Sequence, residues 1–307
     1  MPNGVKWKKH YLLVSSMLKH FAILLFVFGC LSACSSAPSE YVDISPTKHI
    51  EAQILVHKDI VLPPHLNESS GLHCTSNGLY TINDSGNAPV IYRLNKSGHV
   101  TEQTTVSAKN IDWESITSDS ENFYIGDIGN NTGNRKDLHV LKVDRAGSAQ
   151  KLNFQYAVQQ NDSSSTNKQS SAMQHDKDAE AMVYKDGLLT IFSKSWRSHR
   201  AKMYELPIDG STSKLAVKNV SEPLPFLITG ADWDETTQHF VVVGYKVNTL
   251  SVVPYIALLQ QDFTVSKIAK LKGYMQVEAV CADEGTYWFT QEKLAFSPAK
   301  LVNISLQ

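Results

Sequence analysis

Beyond residue 48 the chain repeats one pattern of apolar and polar positions. An acidic residue precedes a short alternating run, then comes a turn, then a second run rich in β-branched and aromatic residues. Five stretches carry it: ESSGLHCTSNGLYTINDSG from Glu68, DWESITSDSENFYIGDIGNN from Asp112, DAEAMVYKDGLLTIFSK from Asp178, GADWDETTQHFVVVGYK from Gly230 and QVEAVCADEGTYWFTQEK from Gln276. Period-two alternation broken by Gly, Asn and Asp specifies short antiparallel strands joined by tight turns. The marker acids Glu68, Glu114, Glu180, Asp232 and Glu278 lie 46, 66, 52 and 46 residues apart. That period fits a four-stranded propeller blade of roughly 40–50 residues. Third strands follow as VIYRLN, LHVLKV and KMYELPI, and a fourth as LNFQYAV. Helical periodicity is nearly absent.

The ends of the repeat region predict closure. After Glu278 there is room for three strands only, the last being AKLVNISL, while an orphan strand, EAQILVHKDIVL from Glu51 to Leu62, precedes the first repeat. Pairing the two completes the last blade and removes the open edges of the ring. The expectation is an all-β chain, a single five-bladed β-propeller over residues 49–307. Six blades is the alternative, should the long gap after Glu114 hold one. That gap contains the polar, low-complexity segment 159–177, which lacks the alternation of a blade and reads as a mobile loop.

This topology assigns the candidate chemistry. Each blade runs outward from its innermost strand, so the marker acids and the residues ending the second strands gather at one mouth of the central channel. The second set comprises Asp84, Asp127, Lys194, Tyr245 and Glu292. Carboxylates crowded at one mouth cannot all stay ionised without a compensating charge. A hard cation held by oxygens, Ca²⁺ first, would supply it, with Glu68, Asp84, Glu114, Asp127 and Glu180 as ligands. Arg135, Lys194, Arg197, Arg200 and Lys246 fall on loops of the same face, to pair with the acids or receive an anionic ligand. The competing reading makes the acids turn caps that accept backbone hydrogen bonds. Gly71, Gly86, Gly126 and Gly129 read as turn glycines. Trp113 and Trp233 read as packing between blades, with a ligand-lining role the alternative, and the scattered histidines as surface residues. No nucleophile elbow, zinc-protease motif, EF-hand or phosphate-binding loop is present.

Composition and the first residues place the chain. With 29 basic and 30 acidic groups and 42% apolar residues it is a globular chain, and no basic face invites nucleic acid. The run FAILLFVFGCL, Phe21 to Leu31, follows Lys19 and has the length and order of a secretory signal rather than of a membrane span. It ends in LSAC, Leu31 to Cys34, which resembles the lipobox of bacterial lipoproteins. The resemblance implies a signal peptide over residues 1–33, lipid on Cys34, and a polar tether over 34–48; Met17 gives the signal a more usual start. Removing residues 1–33 takes four lysines and no acid, leaving 25 basic against 30 acidic groups and a net charge of −5. Ser35 lacks the aspartate that favours inner-membrane retention, so the expected address is the outer membrane, facing the periplasm, with the membrane as a partner through the lipid. Cys74 and Cys281 then remain, expected as buried free thiols, with a bridge between them the alternative that an oxidising compartment permits.

The motifs ESSGL with YTINDSGN, DWESI with YIGDIGNN, and DAEAMVY with SK resemble a family of uncharacterised lipid-anchored bacterial β-propellers related to the SdiA-regulated and phytase-like propeller proteins. The resemblance covers Glu68 to about Lys194 well and the last two repeats more loosely. It implies either a binding or scaffold propeller, for a small anionic ligand, a glycan or a protein, or a calcium-dependent hydrolase of an anionic phosphate ester. For the second, Glu114 and Asp127 are the candidate catalytic residues. Tyr245 and Gln291 stand where a phytase-like cluster wants more acids.

Overall fold

Short runs that alternate between apolar and polar side chains form strands whose apolar positions pack against neighbouring blades, most fully on the inner strands. The computed structural model describes residues 50–157, 173–211, 213–248, 251–294 and 296–307. They form five antiparallel blades. Blade 1 runs outward through Ser69–Thr75, Gly78–Asn83, Val90–Leu94 and Val100–Thr105; blade 2 through Trp113–Ser118, Asn122–Asp127, His139–Asp144 and Ala149–Asn153. Blade 3 uses Ala179–Lys185, Leu188–Ser193, Lys202–Pro207 and Val217–Val220, and blade 4 uses Leu227–Asp234, His239–Asn248, Ser251–Leu259 and Val265–Lys270. Blade 5 has Val277–Asp283, Thr286–Gln291 and Lys300–Leu306 from the end of the chain, and takes its outer strand, Ile54–Val61, from the beginning.

That last pairing is antiparallel, from Ile54 opposite Leu306 to Val61 opposite Lys300. The orphan strand is nevertheless shorter than its sequence suggests. Ile50–Glu51 instead pairs in parallel with Lys267 and Ile268 on blade 4, so the segment clasps two neighbouring blades. The six-bladed alternative is excluded, since the gap after Glu114 supplies no further blade among the described residues. LNFQYAV is not the fourth strand of blade 2; that strand is Ala149–Asn153, and Gln155–Tyr156 pairs with Lys214–Leu215 beside blade 3.

The core is distributed between blades rather than concentrated at a centre. Five apolar clusters occupy the five interblade seams, for example Phe192, Met203, Trp233 and Phe240 between blades 3 and 4, and Leu79, Tyr92, Trp288 and Leu301 between blades 5 and 1. Each fully buried Leu, Ile or Phe contributes about 1.5–3 kcal/mol, so each seam stabilises the next and the ring forms as a unit. Trp113 is fully buried between blades 1 and 2, and Trp233 lies edge-on to Phe240 at 4.9 Å, which makes both of them packing residues.

Cys74 and Cys281 are not free thiols: they form a disulfide between the inner strands of blades 1 and 5. The histidines are not all at the surface, since His139 and His175 are buried. Of the segment 159–177, residues 159–172 lie outside the described set. Residues 173–177 are pinned, with His175 Nε2 within 3.1 Å of the Asn131 carbonyl and Asn130 Nδ2 donating to the Lys177 carbonyl at 2.9 Å. The signal, tether and lipidation site, residues 1–48, also lie outside the described set.

Candidate functional site

Every inner strand carries a β-bulge near its start. Pairing with the second strand skips one residue between Ser69 and Gly71, Trp113 and Ser115, Ala179 and Ala181, Ile228 and Gly230, and Val277 and Ala279. The extra residues are Ser70, Glu114, Glu180, Thr229 and Glu278. A bulge leaves its residue outside the ladder and re-aims its side chain. In blades 1 and 4 the residue is a hydroxyl that clips the next blade: Ser70 Oγ donates to the Trp113 carbonyl at 2.7 Å, and Thr229 Oγ1 to the Val277 carbonyl at 2.6 Å. In the other three blades it is a glutamate.

The true repeat position is therefore this bulge, and two marker acids are off it. Glu68 stands two residues ahead of Ser70. Asp232 stands three residues past Thr229, near the far end of its strand, so it belongs to the opposite mouth of the channel. Its Oδ2 accepts from the Ala282 N–H there at 3.0 Å, and burial pushes its carboxyl up to about 7. A shared acidic letter in blades 1 and 4 hid a register difference.

Two residues before each bulge, on the same strand face, come Glu68, Asp112 and Asp178 in the first three blades. Asp112 and Asp178 were missed as site residues, although D-x-E occurs twice at this spacing, in DWE and DAE, and was the available signal. From the second-strand ends come Asp84, Lys194, Tyr245 and Glu292; the equivalent position in blade 2 is Ile128, one residue beyond Asp127. Asp127, itself fully buried, instead points into a structural network. It takes the Arg135 Nη2 donor at 2.7 Å and the Ile111 N–H at 3.2 Å, with His139 Nε2 3.9 Å away.

Three carboxylates converge. One oxygen each from Asp84, Asp112 and Glu114 lie within 4.8 Å of one another. Glu114 is only 8% exposed, and among the described residues it accepts no hydrogen bond and makes no ion pair. Burial, then Asp84, raise Asp112 to about 7, and the same causes hold Glu114 well above the usual carboxylate range. Gly129 packs against this cluster. A Cβ there would run into Glu114 Oε1 and Asp112 Oδ2, so the glycine is required for space. Among the four glycines read as turn residues only Gly86 has a positive φ, of 84°.

Across the channel a second group is closed on itself. Lys194, 4% exposed, donates to both oxygens of Glu180 at 2.6 and 2.7 Å and to the Tyr245 hydroxyl at 3.3 Å. Burial alone would discharge this lysine; the adjacent Glu180 overrides it and holds the ammonium charged well above its usual pKa. Glu292, pushed up by burial and by Glu278, accepts from Gln276 Nε2 at 2.7 Å. Asp178 is satisfied by the Asn130 N–H and Trp196 Nε1, and Glu68 accepts from Asn87 Nδ2 at 2.6 Å. Arg135 is committed to Asp127, Asp137 and the Gly129 carbonyl. Arg197, Arg200 and Lys246 take no part in either group.

Neither a family model nor a curated protein sequence matches the chain. Solved structures do. One is named glucose dehydrogenase, with a TM-score of 0.45 and 9% identity over 82% of this chain and 98% of that one. Another is a DUF4221 family member from Bacteroides vulgatus, with a TM-score of 0.42 and 10% identity over 85% of this chain and 99% of that one.

Proposed function

We propose that the chain is a lipid-anchored binding propeller of the bacterial cell envelope, whose acidic mouth takes up a divalent cation, Ca²⁺ first, on Asp84, Asp112 and Glu114. The observation that carries the reading is Glu114: a buried carboxylate with no partner, aimed at two others. Two oxygens on one Ca²⁺ at 2.3–2.6 Å can be at most about 5 Å apart, and the three oxygens lie within 4.8 Å of one another, inside that limit. A bound cation would also remove the mutual repulsion that now favours protonation. The envelope address rests on the run Phe21–Leu31 and the LSAC sequence ending at Cys34; the Cys74–Cys281 bridge suits an oxidising compartment.

The hydrolase reading, a calcium-dependent cleavage of a phosphate ester, has less support. Such a site needs cations free to meet the anionic group. Lys194 and Arg135 are already engaged by carboxylates and carbonyls of the protein.

Thermal melts test both. After EDTA treatment, added Ca²⁺ should raise the melting temperature saturably, as for any ligand selective for the folded state. Glu114→Gln should abolish the shift while leaving the protein folded. No shift at millimolar Ca²⁺ would refute the cation site. Calcium-dependent release of phosphate from p-nitrophenyl phosphate, lost in Glu114→Gln, would restore the hydrolase reading.

A further inference from the structure

The three converging carboxylates come from two blades. Asp84 lies one residue past the second strand of blade 1, while Asp112 precedes the inner strand of blade 2 and Glu114 is that strand's bulge. Their spacing therefore depends on how blade 2 is seated against blade 1. Apolar packing in the seam is non-directional, so the fine register falls to directional bonds.

Two side chains supply such bonds. Asn110, half-buried in the link between the blades, donates from Nδ2 to the carbonyls of Asn83 and Asp84 at 2.8 Å each. Its Oδ1 accepts from the Trp113 N–H at 3.2 Å. Two carbonyls need donors and one N–H needs an acceptor, so a single orientation of the amide serves all three. An aspartate, which only accepts when ionised, could not replace it.

Ser70, 4% exposed, holds the other side of Trp113, its Oγ donating to that carbonyl at 2.7 Å. Trp113 is the residue between Asp112 and Glu114. It is thus gripped at both its N–H and its carbonyl, and both grips lead back to blade 1. Glu114, whose carboxylate makes no bond of its own among the described residues, depends on this backbone for its aim.

We propose that Asn110 and Ser70 are the positioning residues of the cation site, clamping the backbone that carries Asp112 and Glu114 at a fixed distance from Asp84. This role rests on the cation reading of the mouth. Neither residue touches the ion; each acts through the carboxylates it places.

Titration calorimetry of the full chain with Ca²⁺, after EDTA treatment and removal of the chelator, reads the affinity of the folded protein. Asn110→Ala and Ser70→Ala should each weaken Ca²⁺ by about tenfold, a usual loss when a group that orients metal ligands is removed. Thr229→Ala is the matched control. It removes the same kind of clip between blades 4 and 5, where Thr229 Oγ1 donates to the Val277 carbonyl. It should lower the melting temperature of the metal-free protein about as much as Ser70→Ala, yet leave the Ca²⁺ affinity unchanged. Should Asn110→Ala fail to fold, the comparison of Ser70→Ala with Thr229→Ala decides. Unchanged affinity in either clamp variant, or an equal loss in Thr229→Ala, would overturn the clamp while the cation site stands. No Ca²⁺ binding by the wild type would overturn the cation site itself, and this role with it.

Discussion

Cys74 and Cys281, 207 residues apart in the chain, are bonded with their Cα atoms 5.5 Å apart, and the bond joins the first inner strand of the ring to the last. The propeller is thus closed twice, by hydrogen bonds at its outer edge, where Ile54–Val61 completes blade 5, and covalently near its axis. The first closure holds only while the outer strand stays paired; the second persists in the unfolded chain.

A loop of this length removes much of the freedom of the unfolded chain. The chain-entropy relation gives about 5 kcal/mol, and measured losses on removing native bridges run about 2–5 kcal/mol. Cys74→Ser with Cys281→Ser should therefore lower the urea midpoint of unfolding markedly. Dithiothreitol should do the same to the wild type but not to the double variant. Equal midpoints for wild type and variant would show that the seams alone close the ring.

The Lys194–Glu180 pair gives a second test. Burial pushes the Glu180 carboxyl up, and Lys194 is what opposes it. Lys194→Met leaves a buried carboxylate facing Glu278, a loss of about 3–5 kcal/mol for a broken buried pair. The sign with pH follows. In the variant Glu180 has a folded-state pKa raised above its unfolded value, so the deficit is small at low pH and grows as the pH rises through that raised value. Urea melts at pH 5 and pH 8 should show the larger deficit at pH 8. Lys194→Met with Glu180→Gln should recover part of it. A deficit independent of pH would mean that lost packing, not the stranded charge, is responsible.

Much of this was legible in the sequence for a physical reason. Period-two alternation in ESSGL, DWESI and DAEAM is imposed by seams that bury one strand face on each side, so the five blades and the closing strand appear in the letters. What the letters do not show is register. Asp232 matches Glu114 in type but sits three residues further along its strand than the bulge at Thr229, and a short shift carried it towards the other mouth. Asp127 was displaced by a single residue from the repeat position, where blade 2 has Ile128, and so fell into the Arg135 network. The bridge between Cys74 and Cys281 depends on a contact between blades 1 and 5, which local patterning does not encode.

The acidic mouth predicts its own response to pH. Asp112 has a folded-state pKa of about 7 against an ordinary value of 3.8, and Glu114 is raised in the same sense. Groups raised on folding stabilise the protein fully below their unfolded pKa, and this contribution is lost as the pH rises through the folded value. The metal-free protein should accordingly lose stability as the pH rises from about 4 through about 7. Ca²⁺ competes with those protons, so its effect on the melting temperature should be greater at pH 8 than at pH 5.5. Asp232, at about 7 from the other mouth, adds a slope of the same sign. The double variant Asp112→Asn with Glu114→Gln isolates the acidic mouth: its slope should be shallower and its response to Ca²⁺ absent. A Ca²⁺ shift equal at both pH values would disconnect cation binding from these carboxylates.

Gly129 separates the site from the fold. Its φ is not in the left-handed region, so alanine is tolerated by the backbone, and what opposes a Cβ is the pair of carboxylates from Glu114 and Asp112. Gly129→Ala should push those oxygens apart, beyond the spread that one cation can bridge, while the interblade seams stay packed. The expected result is Ca²⁺ affinity weakened by at least about tenfold, with the melting temperature of the metal-free protein changed by only a few degrees, since what must move are the far ends of two side chains and not the backbone. Undiminished Ca²⁺ stabilisation in Gly129→Ala would place the cation elsewhere on this mouth, away from Glu114.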